Sequence, residues 1–344
     1  GALISGTDTA EIRKALEGIR EKGAEALAVS CVFSPVNDEQ ELLVQKIAAE
    51  VFGKDFPITL SHEIGSIGLI ERENAAILNA AIRKLAEQAY SSFQDVLKNH
   101  GIDADLFITQ NDGTLMSIEY AKRYPVLTIA SGPTNSLRGA AYLSGIKDGI
   151  VVDVGGTTTD VGVLVNGFPR ESSAAVEMGG VRTNFRMPDL VAVGLGGGSI
   201  VDLEADPVRV GPRSVGYRIH TEAKIFGGET LTATDIAVAD GGYELGDPSK
   251  VSGITADQAA AAIRVIRSMV EETVDKMKIS SGDVPVIVVG GGSILIPDTM
   301  QGASSVVRPE HFEVANAIGA AIAQVSGSID GVFDVATKGR DAVL

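Results

Sequence analysis

Between Ile150 and Gly162 the chain reads Ile-Val-Val-Asp-Val-Gly-Gly-Thr-Thr-Thr-Asp-Val-Gly. An apolar run delivers one carboxylate, Asp153, to a glycine turn, and three threonines lead into a second apolar run headed by Asp160. Glycines let backbone N–H groups approach an anion closely, and threonine hydroxyls add donors for phosphate oxygens. A carboxylate at a strand end can hold Mg²⁺, directly or through water, or orient an attacking water. A bare Gly-Gly would read more simply as a hairpin turn. The whole pattern predicts a phosphate-binding hairpin, with Gly155, Gly156, Thr157 and Thr158 on the phosphates and Asp153 as the catalytic and metal-holding carboxylate.

Two more glycine loops follow. Gly290-Gly291-Gly292-Ser293 ends the apolar run Val284–Val289, and backbone exposed there can lie flat against an adenine or ribose. Gly194-Leu195-Gly196-Gly197-Gly198-Ser199 runs into Ile200-Val201 and is expected to open a helix whose N-terminus faces phosphate through Gly196 and Gly197. No lysine follows either loop, so neither is a P-loop, and neither completes G-x-G-x-x-G.

Composition narrows the classes. Glycine is 40 of 344 residues, about 12%, against roughly 7% in average proteins. The net charge of −16, the absence of Trp and the 5% aromatic content argue against a nucleic-acid surface. The one cysteine, Cys31, excludes an intrachain disulfide and a CxxC site. Four scattered histidines give no zinc spacing, and no Gly-x-Ser-x-Gly elbow occurs. Nothing approaches the ~20 apolar residues of a membrane span, and no signal peptide is recognisable. A cytoplasmic protein is expected.

Strand and helix patterns must position these loops. Helices are predicted over Ile12–Lys22, Glu39–Val51, Leu69–Asn99, Ser117–Arg123, Ser136–Leu143, Ala256–Lys278 and about Glu313–Val325. Strands are expected over Ala24–Phe33, Ile58–His62, Leu106–Gln110, Val126–Ala130, Ile150–Val154, Asp160–Val165 and Val284–Val289, with a third strand after the Asn166-Gly167 turn. The residues Met178–Gly246 read as short, glycine-rich strands. In Leu69–Asn99 the apolar stripe Leu78, Ile82, Leu85, Ala89, Phe93 and Val96 is expected to face a core. Asp235, in Thr230-Leu231-Thr232-Ala233-Thr234-Asp235, reads from the residues as the cap of a helix from Ile236, and equally as a site residue only through the family resemblance given below. The alternation indicates an α/β protein.

Taken in order, these pieces resemble the actin-like ATPase superfamily, and within it the hydantoinase A/oxoprolinase family. The resemblance runs through Ala28–Val36, His62–Asn79, the Leu106–Thr114 segment, Ser131-Gly132-Pro133, Asp153–Asp160, Val286–Ser293 and Glu313–Ala323. It implies an actin-like (ribonuclease H-like) fold of two lobes, residues 1–145 and 146–344. Residues 1–100 would be family-specific and 101–145 would end the first-lobe sheet. The superfamily's other Asp-x-Gly-Gly-Thr-type hairpin has no counterpart here, which implies a first lobe truncated at its N-terminus and a fragment that is weak or inactive alone. Larger members carry an Asp-x-His before the Gly-Gly-Gly-Ser loop. This chain has Asp189-Leu190-Val191 and resembles a shorter subfamily.

The implied activity is ATP- and Mg²⁺-dependent opening of a cyclic amide of the hydantoin or 5-oxoproline kind. ATP would phosphorylate the carbonyl oxygen, making the carbon electrophilic and phosphate a leaving group. Gly290, Gly291, Gly292 and Ser293 would take adenosine, and Asn111 and Asp112 are candidates for substrate contact. A second hydantoinase-type subunit and an oligomer are implied, without nucleic acid or membrane. The other class in view is an actin-like ATPase that works on a protein partner, as reactivases and chaperones do.

Overall fold

The structure, a computed structural model, describes residues 6–65, 67–172, 176–279, 281–327 and 339–340. A six-stranded sheet has the order Leu190–Val193, Thr159–Val165, Gly149–Val154, Val284–Val289 and Ala303–Val307, with Phe168–Pro169 also paired to Thr159–Val165. The first three strands alternate in direction, and the last two join Gly149–Val154 in parallel.

Both faces of the sheet are covered, which is why its strands are almost continuous Val and Ile. Ile150, Val152, Val154, Val161, Val286 and Val288 share one core with the Ala256–Met277 helix. That helix presents Ala259, Ala262, Ile266, Val270 and Val274 on one side and starts in a capping box between Thr255 and Gln258. On the other face Val151, Leu164, Ile287 and Val289 meet Leu137, Ala140 and Ala141 of the Ser131–Ser144 helix, together with Ala315. A Cβ on Gly139 would lie 1.9 Å from the Ala315 carbonyl oxygen, and one on Gly319 only 1.8 Å from that of Asn135. The Ser131–Ser144 and Ala315–Ala321 helices therefore touch backbone to backbone. The α/β class expected from the strand–helix alternation is the observed one, with helices on both faces of the sheet.

Upstream, the helices Thr9–Glu21 and Glu39–Phe52 pack with the parallel pair Leu27–Val29 and Ile58–Leu60. The long helix occupies Leu69–Asn99, as the periodicity predicts. Its buried side is different: Ala75, Ala76, Asn79, Ala80 and Tyr90 face inward. Leu78 and Ile82 pack at the margin, while Leu85, Phe93 and Val96 are 69%, 56% and 52% exposed. Small residues let the helix approach its neighbours closely, and the bulky stripe lies beyond their reach.

Other expectations are corrected. Residues Pro125–Thr128 form a 3₁₀ turn, where Pro125 starts the turn at no hydrogen-bond cost, and Ala130 takes a left-handed φ of 66°. The Ser131–Ser144 helix begins five residues earlier than predicted, at the Ser-Gly-Pro segment itself. The last helix is shorter, a 3₁₀ turn at Phe312–Val314 followed by Ala315–Ala321, because the chain then turns so that Gln324 accepts from the Leu115 amide. Ser199–Asp202 is a strand paired with Arg209–Ser214, not a helix. No helix among the described residues is long and apolar enough to cross a membrane.

Candidate nucleotide site

The Gly149–Val154 and Thr159–Val165 strands form a tight hairpin closed by Gly155–Thr158, in which the Gly155 amide donates to the Thr158 carbonyl at 2.9 Å. The register places Asp153 directly opposite Asp160. Both project to the face that carries Val151 and Leu164, the side of the Ser131–Ser144 helix. Gly156, Thr157 and Thr158 form an exposed tip, and among the described residues no acceptor takes the amides of Gly156 and Thr157. Thr159 is buried and spends its hydroxyl on the Leu195 carbonyl at 2.7 Å.

The other two glycine loops converge on this hairpin. The Gly197 and Gly198 amides donate to the Gly155 and Gly156 carbonyls at 3.0 and 2.7 Å. A Cβ on Gly196 would stand 2.6 Å from the Thr157 nitrogen and 2.8 Å from the Gly155 oxygen. Gly196 and Gly197 are thus buried beneath the Gly155–Thr158 turn, and in this structure they support it from below. Ser199 and Thr234 hold that support in turn: the Gly196 amide donates to Ser199 Oγ at 2.9 Å, and Thr234 Oγ1 donates to the Gly197 carbonyl at 2.8 Å. From the other side the Gly292 amide donates to the Val154 carbonyl at 2.8 Å, and a Cβ on Gly290 would lie 2.4 Å from Asp153 Oδ1. Ser293 is fully enclosed, with a hydroxyl that makes no hydrogen bond within the described protein.

Gly291 differs from its neighbours. It is exposed, and an added Cβ would meet nothing within 4 Å. If adenosine packs on this loop, Gly291→Val should fold normally yet weaken ATP binding by about 10- to 100-fold, the usual cost of overpacking a close contact. Calorimetric titration of the folded variant checks this, and wild-type affinity would remove adenosine from the loop.

Burial raises the Asp153 carboxyl above the ordinary range, partly offset by a hydrogen bond from Ser136. Burial, together with the facing Asp153 charge, pushes Asp160 up to about 6. A raised carboxyl favours the folded state below its unfolded pKa, and that contribution is lost as pH rises through about 6. Asp160→Asn should therefore raise the melting temperature by roughly 2–4 °C at pH 8 and leave it unchanged near pH 4, as thermal melts at the two pH values would show.

The carboxylate pair also suits a divalent cation, whose charge relieves its repulsion. Among the described residues no cluster of three or more ligating side chains surrounds it, so most ligands would come from phosphate oxygens and water, as is usual for Mg²⁺.

Asn111 and Asp112 lie beside the first turn of the Ser131–Ser144 helix, where Thr134 Oγ1 donates to the Asn111 carbonyl at 2.9 Å. Asn111 is buried, and its side-chain amide donates to the Arg186 carbonyl at 2.7 Å, fastening the 185–188 segment. Asp112 accepts from the Thr114 amide and hydroxyl in a closed turn. Asp235 is the third residue of the Ala233–Ala239 helix, capped by Thr232. Its carboxylate also accepts from the Ile225 amide at 2.8 Å, so it is structural. Sequence reasoning passed over Asp160, Ser136 and Ser199 as site residues. Only Asp160 had a signal, since a tight four-residue turn makes its two flanking carboxylates cross-strand partners.

The hydantoinase/oxoprolinase family model matches residues 72–243, half of the chain, and the model of that family's N-terminal region matches residues 1–52. The chain belongs to the hydantoinase/oxoprolinase family. Relatives include the acetophenone carboxylase gamma subunit of Aromatoleum aromaticum, 30% identical over 70% of this chain and 34% of that protein. The caprolactamase subunit alpha of Pseudomonas jessenii is 27% identical over 79% of this chain and 39% of its own length. This hydantoinase/oxoprolinase chain thus spans between a third and two-fifths of the length of these two relatives. Among solved structures, nucleotide-free acetone carboxylase aligns with TM-score 0.69 and 25% identity over 91% of this chain and 49% of that one. The ATP-dependent caprolactamase from Pseudomonas jessenii shares the fold, with TM-score 0.76 at 22% identity over 94% of this chain and 52% of that one.

Proposed function

We propose that this family member is the ATP-using subunit of a hydrolase that opens cyclic amides of the hydantoin or 5-oxoproline type. The convergence of the other two glycine loops on the Asp153–Asp160 hairpin carries this reading. Exposed backbone amides at Gly156 and Thr157 suit the phosphates of ATP, and Gly291 offers an open surface for its adenosine. Asp153 would hold Mg²⁺ directly or through water, and the cation would neutralise phosphate charge during transfer. The chain's own part is positioning, since phosphoryl transfer to a carbonyl oxygen needs alignment and charge neutralisation more than covalent help. Transfer makes the amide carbon electrophilic. Water then adds there, and the ring C–N bond breaks with a proton passing to nitrogen. A second water attacks the carbon of the resulting acyl phosphate, so that the carboxylate forms and phosphate departs with the former carbonyl oxygen.

Relatives named as an ATP-dependent caprolactamase and as carboxylase subunits support carbonyl activation by ATP and a partner subunit. The test is phosphate release by the natural full-length protein with its partner subunit, challenged with hydantoins, lactams and 5-oxoproline. Stimulation by one class, matched by ring-opened product, is expected. Stimulation by a protein partner alone would favour a reactivase-type ATPase.

A further inference from the structure

Three successive glycines make Gly290–Ser293 the kind of loop that loses most conformational freedom on ordering. A ligand that has to order such a loop as it binds loses affinity, so what holds the loop beforehand bears on binding. The strand Ala303–Val307 runs parallel to Val284–Val289 with Val307 opposite Ile287, so Arg308 leaves the sheet at the edge where the loop begins. Its side chain is 18% exposed. Nη2 donates to the Ile296 carbonyl at 2.8 Å and to the Ser293 carbonyl at 3.3 Å, while Nη1 donates to Asp298 Oδ1 at 3.0 Å. The two carbonyls belong to the first residue of the Ser293–Leu295 3₁₀ turn and to the residue that caps it. The end of a helical turn leaves carbonyls short of donors, and a guanidinium is a strong one. Four residues on, the Phe312 carbonyl accepts from the Gly290 amide at 2.9 Å. The 308–312 segment therefore grips the loop at both ends, and the Val154 carbonyl holds the Gly292 amide between them. Of the four loop residues, Gly291 is the exposed one.

We propose that Arg308 is a positioning residue for nucleotide binding: it fixes the Ser293–Ile296 end of the loop, so that the Gly291 backbone is already presented when adenosine arrives. The inference rests on the assignment of adenosine to this loop and adds to it the side chain that preorganises it. Arg308 acts through the two carbonyls, without touching the nucleotide. Asp298 is exposed, and its pairing with Nη1 orients the guanidinium.

Calorimetric titration with ADP, which carries the adenosine and is not turned over, tests the anchor on the full-length protein in its complex. Arg308→Met keeps the apolar stem and loses every donor, and it should weaken ADP binding about 10-fold. The KM for ATP should rise in step, while kcat at saturating ATP changes less than about threefold. Arg308→Lys keeps a charged donor without the fork and should lose only about threefold in affinity. A purely structural role would lower the melting temperature and leave the ADP affinity of the folded protein intact. Wild-type affinity in folded Arg308→Met, or a loss confined to kcat, would overturn the proposal. If Arg308→Met does not fold, Arg308→Lys alone decides: weaker ADP binding at constant kcat supports the anchor, and wild-type affinity overturns it. Gly291→Val separates the two levels. Weakened ADP binding in that variant alongside wild-type affinity in Arg308→Met removes the anchor alone. Wild-type affinity in folded Gly291→Val takes adenosine off the loop and removes both.

Discussion

Replacing Asp153 with Ala is expected to lower ATP turnover of the full-length protein by about 10²–10³, the usual cost of removing one preorganised electrostatic group. The fold should survive, because Asp153 is only half-buried near the end of its strand, while Val151, Val152 and Val154 keep the sheet buried. Removing a raised, half-buried carboxylate should even steady the folded chain slightly at pH values where Asp153 is ionised, by the sign reasoning applied to Asp160. Turnover should thus fall while the melting temperature holds or rises. Steady-state kinetics with a thermal melt on the same preparation would show this opposition. A variant that melts normally and turns over at the wild-type rate would remove Asp153 from the chemistry.

A second large effect is expected far from the loops. Glu41 is fully buried, where Ser61 Oγ donates to it at 2.5 Å and the Cys31 amide at 3.0 Å, and His62 Nδ1 lies 2.6 Å away. Arg72, also buried, donates to Ser61 Oγ at 2.9 Å and to the Cys31 carbonyl at 2.5 Å. The cluster ties four segments of the N-terminal region together, including the Glu39–Phe52 and Leu69–Asn99 helices. Burial alone would raise the Glu41 carboxyl, but hydrogen bonds from His62, Ser61 and Ser34 outweigh it and hold the group at about 2. Glu41→Ala takes the shared acceptor away from Ser61, the Cys31 amide and His62 inside a buried cluster and should cost about 3–5 kcal/mol at pH 7.

The pH dependence follows in sign. A depressed carboxyl stabilises the fold above its ordinary pKa of 4.5, and that contribution is lost as pH falls toward about 2. The gap between wild type and Glu41→Ala should therefore narrow through that window. His62 is held above its ordinary value, mainly by its hydrogen bond to Glu41, so its contribution is present at low pH and is lost as pH rises through its folded pKa. Urea unfolding at several pH values measures both. Equal midpoints at pH 7 would contradict the prediction.

What the sequence disclosed and what it concealed divide along physical lines. The Asp153–Asp160 hairpin, the Val284–Val289 strand and the Leu69–Asn99 helix are local patterns, and each lies where it was predicted. Periodicity finds an amphipathic helix but does not say which side docks. In Leu69–Asn99 the alanine side won because close approach rewards small residues. The Gly194–Ser199 run was legible as a special backbone, yet its task was not. Whether a glycine loop opens a helix or lies under another loop depends on contacts some 40 residues away in sequence, those to Gly155, Gly156 and Thr157.

The most direct measurement follows one oxygen atom. A cyclic amide labelled with oxygen-18 at its carbonyl is turned over by the full-length protein and its partner subunit in unlabelled water with ATP, and the released phosphate is analysed by mass spectrometry. Phosphorylation of the carbonyl oxygen predicts that the label appears in inorganic phosphate, in step with ring opening. Unlabelled phosphate, released while the ring opens, would mean that ATP is cleaved by water and not by the substrate, and would contradict carbonyl activation at the Asp153–Asp160 site.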